Sequence, residues 1–392
     1  MKTAILILVS LVLLCLSPVA QADEDQSLKI KPYGYIKLDG SYDQNSTSHG
    51  NFVMWVPLPD YEGDDEQFNM TANQTRLGIN LKSTGYGQLN IYGNIEFDLY
   101  GSVTGGTVAE NKAILQLRHA YFSVQKGNIK LVAGQTWDLI SPLNPSTVNY
   151  TVLWGCGNIG YRRPQIAGWV TMTPNEKTTL IFASGFFRTI GSDLTPTFSL
   201  ATGEASDGDD DGTDAGIPSI QGLCEVKHSW TENGYIRAGV SGLWGRLKAE
   251  TTLGNFSKYE SRALVGHLMI AMPAGWGLSG EYYLGSNLGS YFGGILNNST
   301  IDGLDCQGGW ASAWFKITPM IKFTGGYGYD KADEVNLLTN AKEQNQAFFG
   351  NINVALAPKV AFGIEVSKWE TKYKNSDTAD NLRGQTSFTL SF

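Results

Sequence analysis

The sequence predicts an all-β fold: a transmembrane antiparallel β-barrel of about 16 strands, with short periplasmic turns, long extracellular loops and a third loop folded into the lumen. Three observations predict it. Apolar and polar residues alternate in short segments along the chain, the connections between segments alternate short and long, and the chain ends on an aromatic residue, Phe392. In lipid every backbone polar group must be paired internally, so only helices and closed barrels can span. A barrel strand shows one face to lipid and one to water, which gives hydrophobicity a period of two.

The chain has 392 residues, and residues 1–22 read as a secretory signal peptide. Lys2 supplies the basic start, residues 4–16 the apolar run, and Ala20-Gln21-Ala22 the cleavage site. No later stretch reaches the ~18 uninterrupted apolar residues of a membrane helix. Residues 23–392 then form one domain, because no linker or change of pattern divides them. The content of 46 Gly, 18 Tyr, 17 Phe and 10 Trp suits tight turns, close strand contacts and interfacial aromatic girdles. The formal charge is −8, with acids concentrated in two predicted loops: Asp60, Glu62, Asp64, Asp65 and Glu66, and then Asp207, Asp209, Asp210, Asp211 and Asp214. This argues against a nucleic-acid partner. Cys156, Cys224 and Cys306 remain after processing, an odd number with no Cys-x-x-Cys or Cys/His cluster. One loop disulfide and three isolated thiols are both open readings, and no metal site or cofactor is expected.

Each strand follows from alternation bounded by turn residues. The segments are 29–42, 68–82, 88–100, 112–125, 129–136, 163–173, 178–188, 219–230, 235–250, 259–271, 276–285, 307–318, 321–330, 347–356, 360–371 and 382–392. Gly, Pro, Asn and Asp punctuate the short side at 83–87, 126–128, 174–176, 231–234, 273–275, 319 and 357–358. In 88–100, Leu89, Ile91, Ile95, Phe97 and Leu99 oppose Asn90, Tyr92, Asn94, Glu96 and Asp98. In 68–82, Leu77, Ile79 and Leu81 oppose Gln74, Arg76, Asn80 and Lys82. In 360–371, Val360, Phe362, Ile364 and Val366 oppose Glu365 and Ser367. In the last segment Phe388, Leu390 and Phe392 oppose Arg383, Gln385, Ser387, Thr389 and Ser391. A sandwich also alternates, but its turns are short at both ends.

A channel needs a wetted lumen, a constriction and a local field rather than catalytic groups. The connection 137–162 is the candidate constriction. It is long and nearly uncharged, with Asp138, Asn144, Pro142, Pro145, Asn149, Tyr150, Trp154 and Tyr161, and prolines with aromatics suit an ordered loop packed on the inner wall. The other reading is a cap outside the barrel. Arg76 and Arg118 fall on lumen faces, and Arg162 and Arg163 lie where the loop rejoins the wall. Arg keeps its charge and offers a fork that matches carboxylates, so such a cluster favours anions. Glu96 and Asp98 lie on a neighbouring lumen face: opposed to the arginines they set up a transverse field, and paired with them they cancel it. For each Arg, a purely structural pairing is the other reading. His119 follows Arg118 and is expected to point outward, and no Ser/His pair supports an enzyme. The run 207–214 resembles a calcium loop in composition but holds Pro218 where an EF-hand needs Glu.

Thr75-Arg76-Leu77-Gly78, Ile95-Glu96-Phe97-Asp98-Leu99-Tyr100-Gly101, Leu117-Arg118-His119-Ala120-Tyr121, Gly134-Gln135-Thr136-Trp137 and Arg163-Pro164-Gln165-Ile166 occur in this order. Together they resemble the DcaP-like trimeric porins of Gram-negative outer membranes. The resemblance is specific over residues 75–165, and the terminal Phe is similar to an outer-membrane assembly signal. It implies a homotrimer of sixteen-stranded barrels with a constricting third loop and uptake of small anions such as dicarboxylates. Arg76, Arg118 and Arg163 are the positions that match. An N-terminal coiled coil found in such porins is not expected, since only residues 23–28 separate the leader from the first strand.

The expected protein is therefore a passive diffusion channel of the bacterial outer membrane for small polar or anionic solutes, with outer-membrane lipids as its surroundings. A substrate-specific channel, for a sugar for example, and a plugged barrel serving surface recognition or structure are the alternatives. The residues expected at the constriction are Arg76, Glu96, Asp98, Arg118, Asp138, Arg162 and Arg163.

Overall fold

The computed structural model describes residues 28–59, 65–86, 89–101, 113–191, 211–252, 255–297 and 303–392. The signal-peptide reading of residues 1–22 lies outside them, as do Asp60, Glu62, Asp64, Asp207, Asp209 and Asp210. The last four residues of the acidic run form a single helical turn, α1 (Asp211–Asp214).

The first half of the wall comprises β1 (Lys29–Asp43), β2 (Gln67–Thr71), β3 (Arg76–Tyr86), β4 (Leu89–Asp98), β5 (Gln116–Lys126), β6 (Ile129–Trp137), β7 (Arg162–Asn175) and β8 (Thr178–Phe187). The second comprises β9 (Ser219–Thr231), β10 (Gly234–Thr252), β11 (Asn255–Ala271), β12 (Trp276–Ser286), β13 (Asp305–Lys316), β14 (Ile321–Ala332), β15 (Lys342–Ala357), β16 (Val360–Tyr373) and β17 (Thr378–Ser391). Neighbours in sequence pair antiparallel, and β17 pairs back onto β1 from Tyr35 opposite Ser391 to Asp43 opposite Arg383. The sheet is thus closed and leaves no edge. Phe392 completes the seam, its N–H donating to the Gly34 carbonyl at 3.0 Å.

β2 and β3 occupy one position in the wall. Both pair with β1, β2 opposite Asp39–Asp43 and β3 opposite Lys29–Tyr35, so the barrel has 16 strand positions. The segment expected as one strand over 68–82 is interrupted at residues 72–75, where the Thr75 hydroxyl takes the N–H of Lys37 at 3.1 Å.

The wall departs from the expected alternation of short and long connections in its second half. β10 and β11 run 19 and 17 residues. A strand needs only about 9–11 residues to span, so this pair continues beyond the membrane as a hairpin where a moderate loop was expected. β16 and β17 likewise extend inward on the expected loop, which shrinks to residues 374–377.

Side-chain direction follows the period of two. Leu38, Leu77, Leu264, Val366, Leu382 and Phe388 stand exposed on the outside, and Asp39, Asn94, Glu281, Asn345, Glu365 and Arg383 are buried inside. The interior is not simply wet. Val53 and Val56 from the first long loop, Leu143, Leu153 and Cys156 from the third, and Trp310, Ala347, Phe349, Trp369 and Tyr373 from the wall form one packed cluster. Ile140 and Ile159 of the third loop join Leu288 and Tyr291, from the connection after β12, in another. Cys156, Cys224 and Cys306 are all free.

Candidate pore constriction

Residues 138–161 fold into the barrel, as expected of the third loop. A buried ion pair closes the neck: Arg163 at the start of β7 points inward, and its Nε lies 2.9 Å from Asp138 Oδ1. Asp138 also accepts the N–H of Tyr161 at 2.9 Å, so one carboxylate ties together both ends of the loop. Gln221 of β9 donates to it at 2.6 Å. The Arg163 guanidinium lies 3.8 Å from the centre of the Tyr291 ring and donates to the Ser290 carbonyl at 3.1 Å.

The loop then crosses the lumen to the opposite wall. Glu281 of β12 accepts the N–H of Leu143 at 2.8 Å and the hydroxyl of Ser141. Glu365 of β16 accepts the N–H groups of Val148 at 2.7 Å and Asn149 at 3.2 Å. Asn345 of β15 donates to the carbonyls of Met54 and Gly155, both at 2.7 Å, and so joins the first and third loops to the wall. Gly157 lies flat on β13: its φ is +97°, and an added Cβ would come 2.1 Å from the Gly309 carbonyl oxygen. Only glycine fits there. Burial pushes the Cys156 thiol well above its ordinary range, which leaves it an inert packing group.

Against the wall of β3–β5, Arg118 is 3% exposed and holds Glu96 at 2.8 Å and Asp98 at 2.6 Å. Arg76 Nε lies 3.4 Å from Glu96 and keeps 22% of its side chain exposed. The expected arginine and acid rows therefore meet and cancel: two guanidiniums face two carboxylates. Tyr150 of the loop joins this group, accepting from Arg118 at 3.2 Å and donating to Asp98 at 3.1 Å. Burial pushes its phenol up to about 12, so it stays a neutral donor.

Arg162 differs. It is 2% exposed, and its guanidinium lies 4.4 Å from the Tyr161 ring centre and 5.0 Å from that of Trp137. Nη2 donates to the Tyr161 hydroxyl at 2.5 Å, while Nε and Nη1 have no partner among the described residues.

His119 points into the lumen, not outward. A β-bulge causes this: Glu96 pairs with His119 and Phe97 with Leu117, so Arg118 is the extra residue and both side chains face inward. His119 Nδ1 sits 3.0 Å from the Thr136 hydroxyl.

Sequence reasoning did not single out the anchors Glu281, Asn345 and Gln221, and Glu365 entered only as part of a polar face. Inward parity within otherwise apolar strands was the available signal. It also missed a continuous run of aromatic rings. His49, Phe52, Tyr100, Tyr150, Trp154, Tyr161, Trp137, His119, Tyr121 and Tyr92 follow one another with centroid separations between 4.0 and 6.5 Å. Phe292, from the connection after β12, packs on both Trp154 and Tyr161 at 4.9 Å.

A closed antiparallel barrel of 16 strand positions with an inward third loop is the fold of outer-membrane porins. Solved porins share the fold at low identity. The anion-selective porin of Comamonas acidovorans matches with a TM-score of 0.57 at 10% identity, over 93% of this chain and 100% of that one. The trimer form of OmpT, an outer membrane protein of Vibrio cholerae, matches with a TM-score of 0.52 at 10% identity, over 93% and 100%. The outer membrane channel DcaP of Acinetobacter baumannii matches with a TM-score of 0.72 at 18% identity, over 95% and 100%. The family model described as DcaP outer membrane protein matches residues 17–170. Over that stretch, less than half of its length, the chain is similar to DcaP outer membrane proteins. Among curated proteins, none matches its sequence.

Proposed function

We propose that this porin passes small hydrophilic solutes by passive diffusion with a preference for small organic anions such as dicarboxylates, that it works as a homotrimer, and that residues 1–22 are removed on export. The single observation that carries the anion preference is Arg162. Arg118 is matched by Glu96 and Asp98, and Arg163 by Asp138. Arg162 has no ion pair among the described residues, and two of its three nitrogens lack partners. An unmatched guanidinium buried beside the constriction sets up a positive field that attracts anions. The trimer form of a neighbour with the same fold supports the oligomeric reading.

Reversal potentials in a salt gradient test this. Anion selectivity in the wild type that falls in Arg162→Ala is the expected result, and a cation-selective wild type overturns it. The aromatic run favours a second reading, a substrate-specific channel in which rings stack along one path. That reading requires a solute that blocks the current in steps. A plugged barrel would conduct almost nothing.

A further inference from the structure

Outside the pore, two cations on the lipid-facing wall stand apart from their neighbours. Arg262 of β11 and Lys331 of β14 both project outward, since each alternates with buried neighbours: Ser261 and Ala263 for the first, Asp330 and Ala332 for the second. Arg262 lies about nine residues above the periplasmic end of β11 and Lys331 about ten above that of β14, the length that spans a bilayer. Both therefore sit at the outer membrane interface. They flank a concavity of about 820 Å³ that includes Leu264 and Leu284. Those leucines are 61% and 52% exposed and form an apolar floor on the membrane side of the cations.

Other outward polar groups at this level pair with one another. Tyr282 donates to Gln307 at 2.8 Å, Tyr327 to Gln346 at 2.9 Å and Gln346 to Glu370 at 2.9 Å, and Lys368 is bound to Asp380. Among the described residues Arg262 and Lys331 make no hydrogen bond or close ion pair, and Glu343 acts on Lys331 only at longer range. Three strand spacings separate them, about 14 Å around the wall, so one large headgroup can meet both.

We propose that this concavity binds a phosphate-bearing glycolipid of the outer leaflet, with its phosphates on Arg262 and Lys331 and an acyl chain on Leu264 and Leu284. The acids present select the lipid over a free anion. Asp305, Asp333 and Glu334 share the rim, and they repel a soluble phosphate that has nothing else to hold it. A lipid anchored by its chains bears that repulsion, because burial of its methylenes is independent of charge.

The test is native mass spectrometry of the intact purified porin with lipid A, alongside Arg262→Ala/Lys331→Ala and Lys368→Ala as a control on a paired cation. Wild type and control are expected to retain lipid A, and the double variant to retain it about 30-fold less, the order expected for two cations facing an anionic lipid. Wild-type protein should lose the same retention toward lipid A stripped of its phosphates, a readout that needs no variant to fold. Equal retention by the double variant, equal binding of the dephosphorylated lipid, or displacement by inorganic phosphate alone would each overturn the proposal.

Discussion

Removing the Glu365 carboxylate should release the constriction without opening the barrel. Glu365 is 2% exposed and accepts three hydrogen bonds: from Val148 N–H at 2.7 Å, from Asn149 N–H at 3.2 Å and from Asn351 Nδ2 at 3.0 Å. Two of these donors belong to the third loop and none to the backbone pairing of the wall. In Glu365→Ala the two loop N–H groups lose their acceptor, while Asn351 Nδ2 keeps the Ser146 carbonyl at 2.8 Å. A buried donor left without a partner costs about 1–3 kcal/mol, and water entering the vacated space brings each to the lower end. The loop thus loses about 2 kcal/mol of hold, which raises its released population roughly thirtyfold. The barrel keeps its 16 paired positions, so mobility in unboiled detergent gels should match wild type. Planar-bilayer recordings should show frequent steps to a higher conductance level. A variant with wild-type conductance and no added steps would refute the claim that this carboxylate holds the loop.

Further predictions rest on the same geometry. Gly157→Ala should also lift the loop, because the new Cβ would meet backbone oxygens of Gly309 at 2.1 Å and Tyr329 at 2.6 Å, and its conductance steps should resemble those of Glu365→Ala. Arg163→Met leaves the Asp138 carboxylate buried and unpaired, at about 3–5 kcal/mol; the temperature at which the barrel loses its unboiled gel mobility should fall, and an unchanged temperature would contradict a structural role for this pair. The Tyr150 phenol is raised from 10.0 to about 12 by burial, so its contribution to holding the loop is complete below pH 10 and is lost as pH rises toward 12. Conductance steps should therefore appear in that window in wild type and be absent as a pH-dependent feature in Tyr150→Phe.

The wall was legible in the sequence because it is periodic. Each strand declares its inward and outward residues by local alternation, and Leu77 against Arg76 or Ile364 against Glu365 needs no knowledge of the rest of the chain. Where the period slips, the reading fails. The bulge at Arg118 inverted the expected direction of His119, and the break at residues 72–75 divides β2 from β3 without changing hydrophobic pattern. The interior was legible only as a list of residues. Val148 is held by a carboxylate 217 positions away, Gly155 by an amide 190 positions away, and no local pattern encodes such pairs. The same holds for charge. The sequence places Arg76, Arg118, Arg162 and Arg163 near one constriction, yet their weight in selectivity depends on which carboxylates reach them. Asp138 is spent on Arg163 because it also ties the N–H of Tyr161, and Glu96 with Asp98 are spent on Arg118 because the bulge brings it between them. Arg162 is left without a carboxylate by these two constraints together, and its stacking on Trp137 and Tyr161 keeps it in place without one. Among the described residues, the unmatched charge at Arg162 is thus a consequence of how the loop is anchored, so variants that loosen the anchors Glu281 and Glu365 should also weaken the proposed anion preference in reversal-potential measurements.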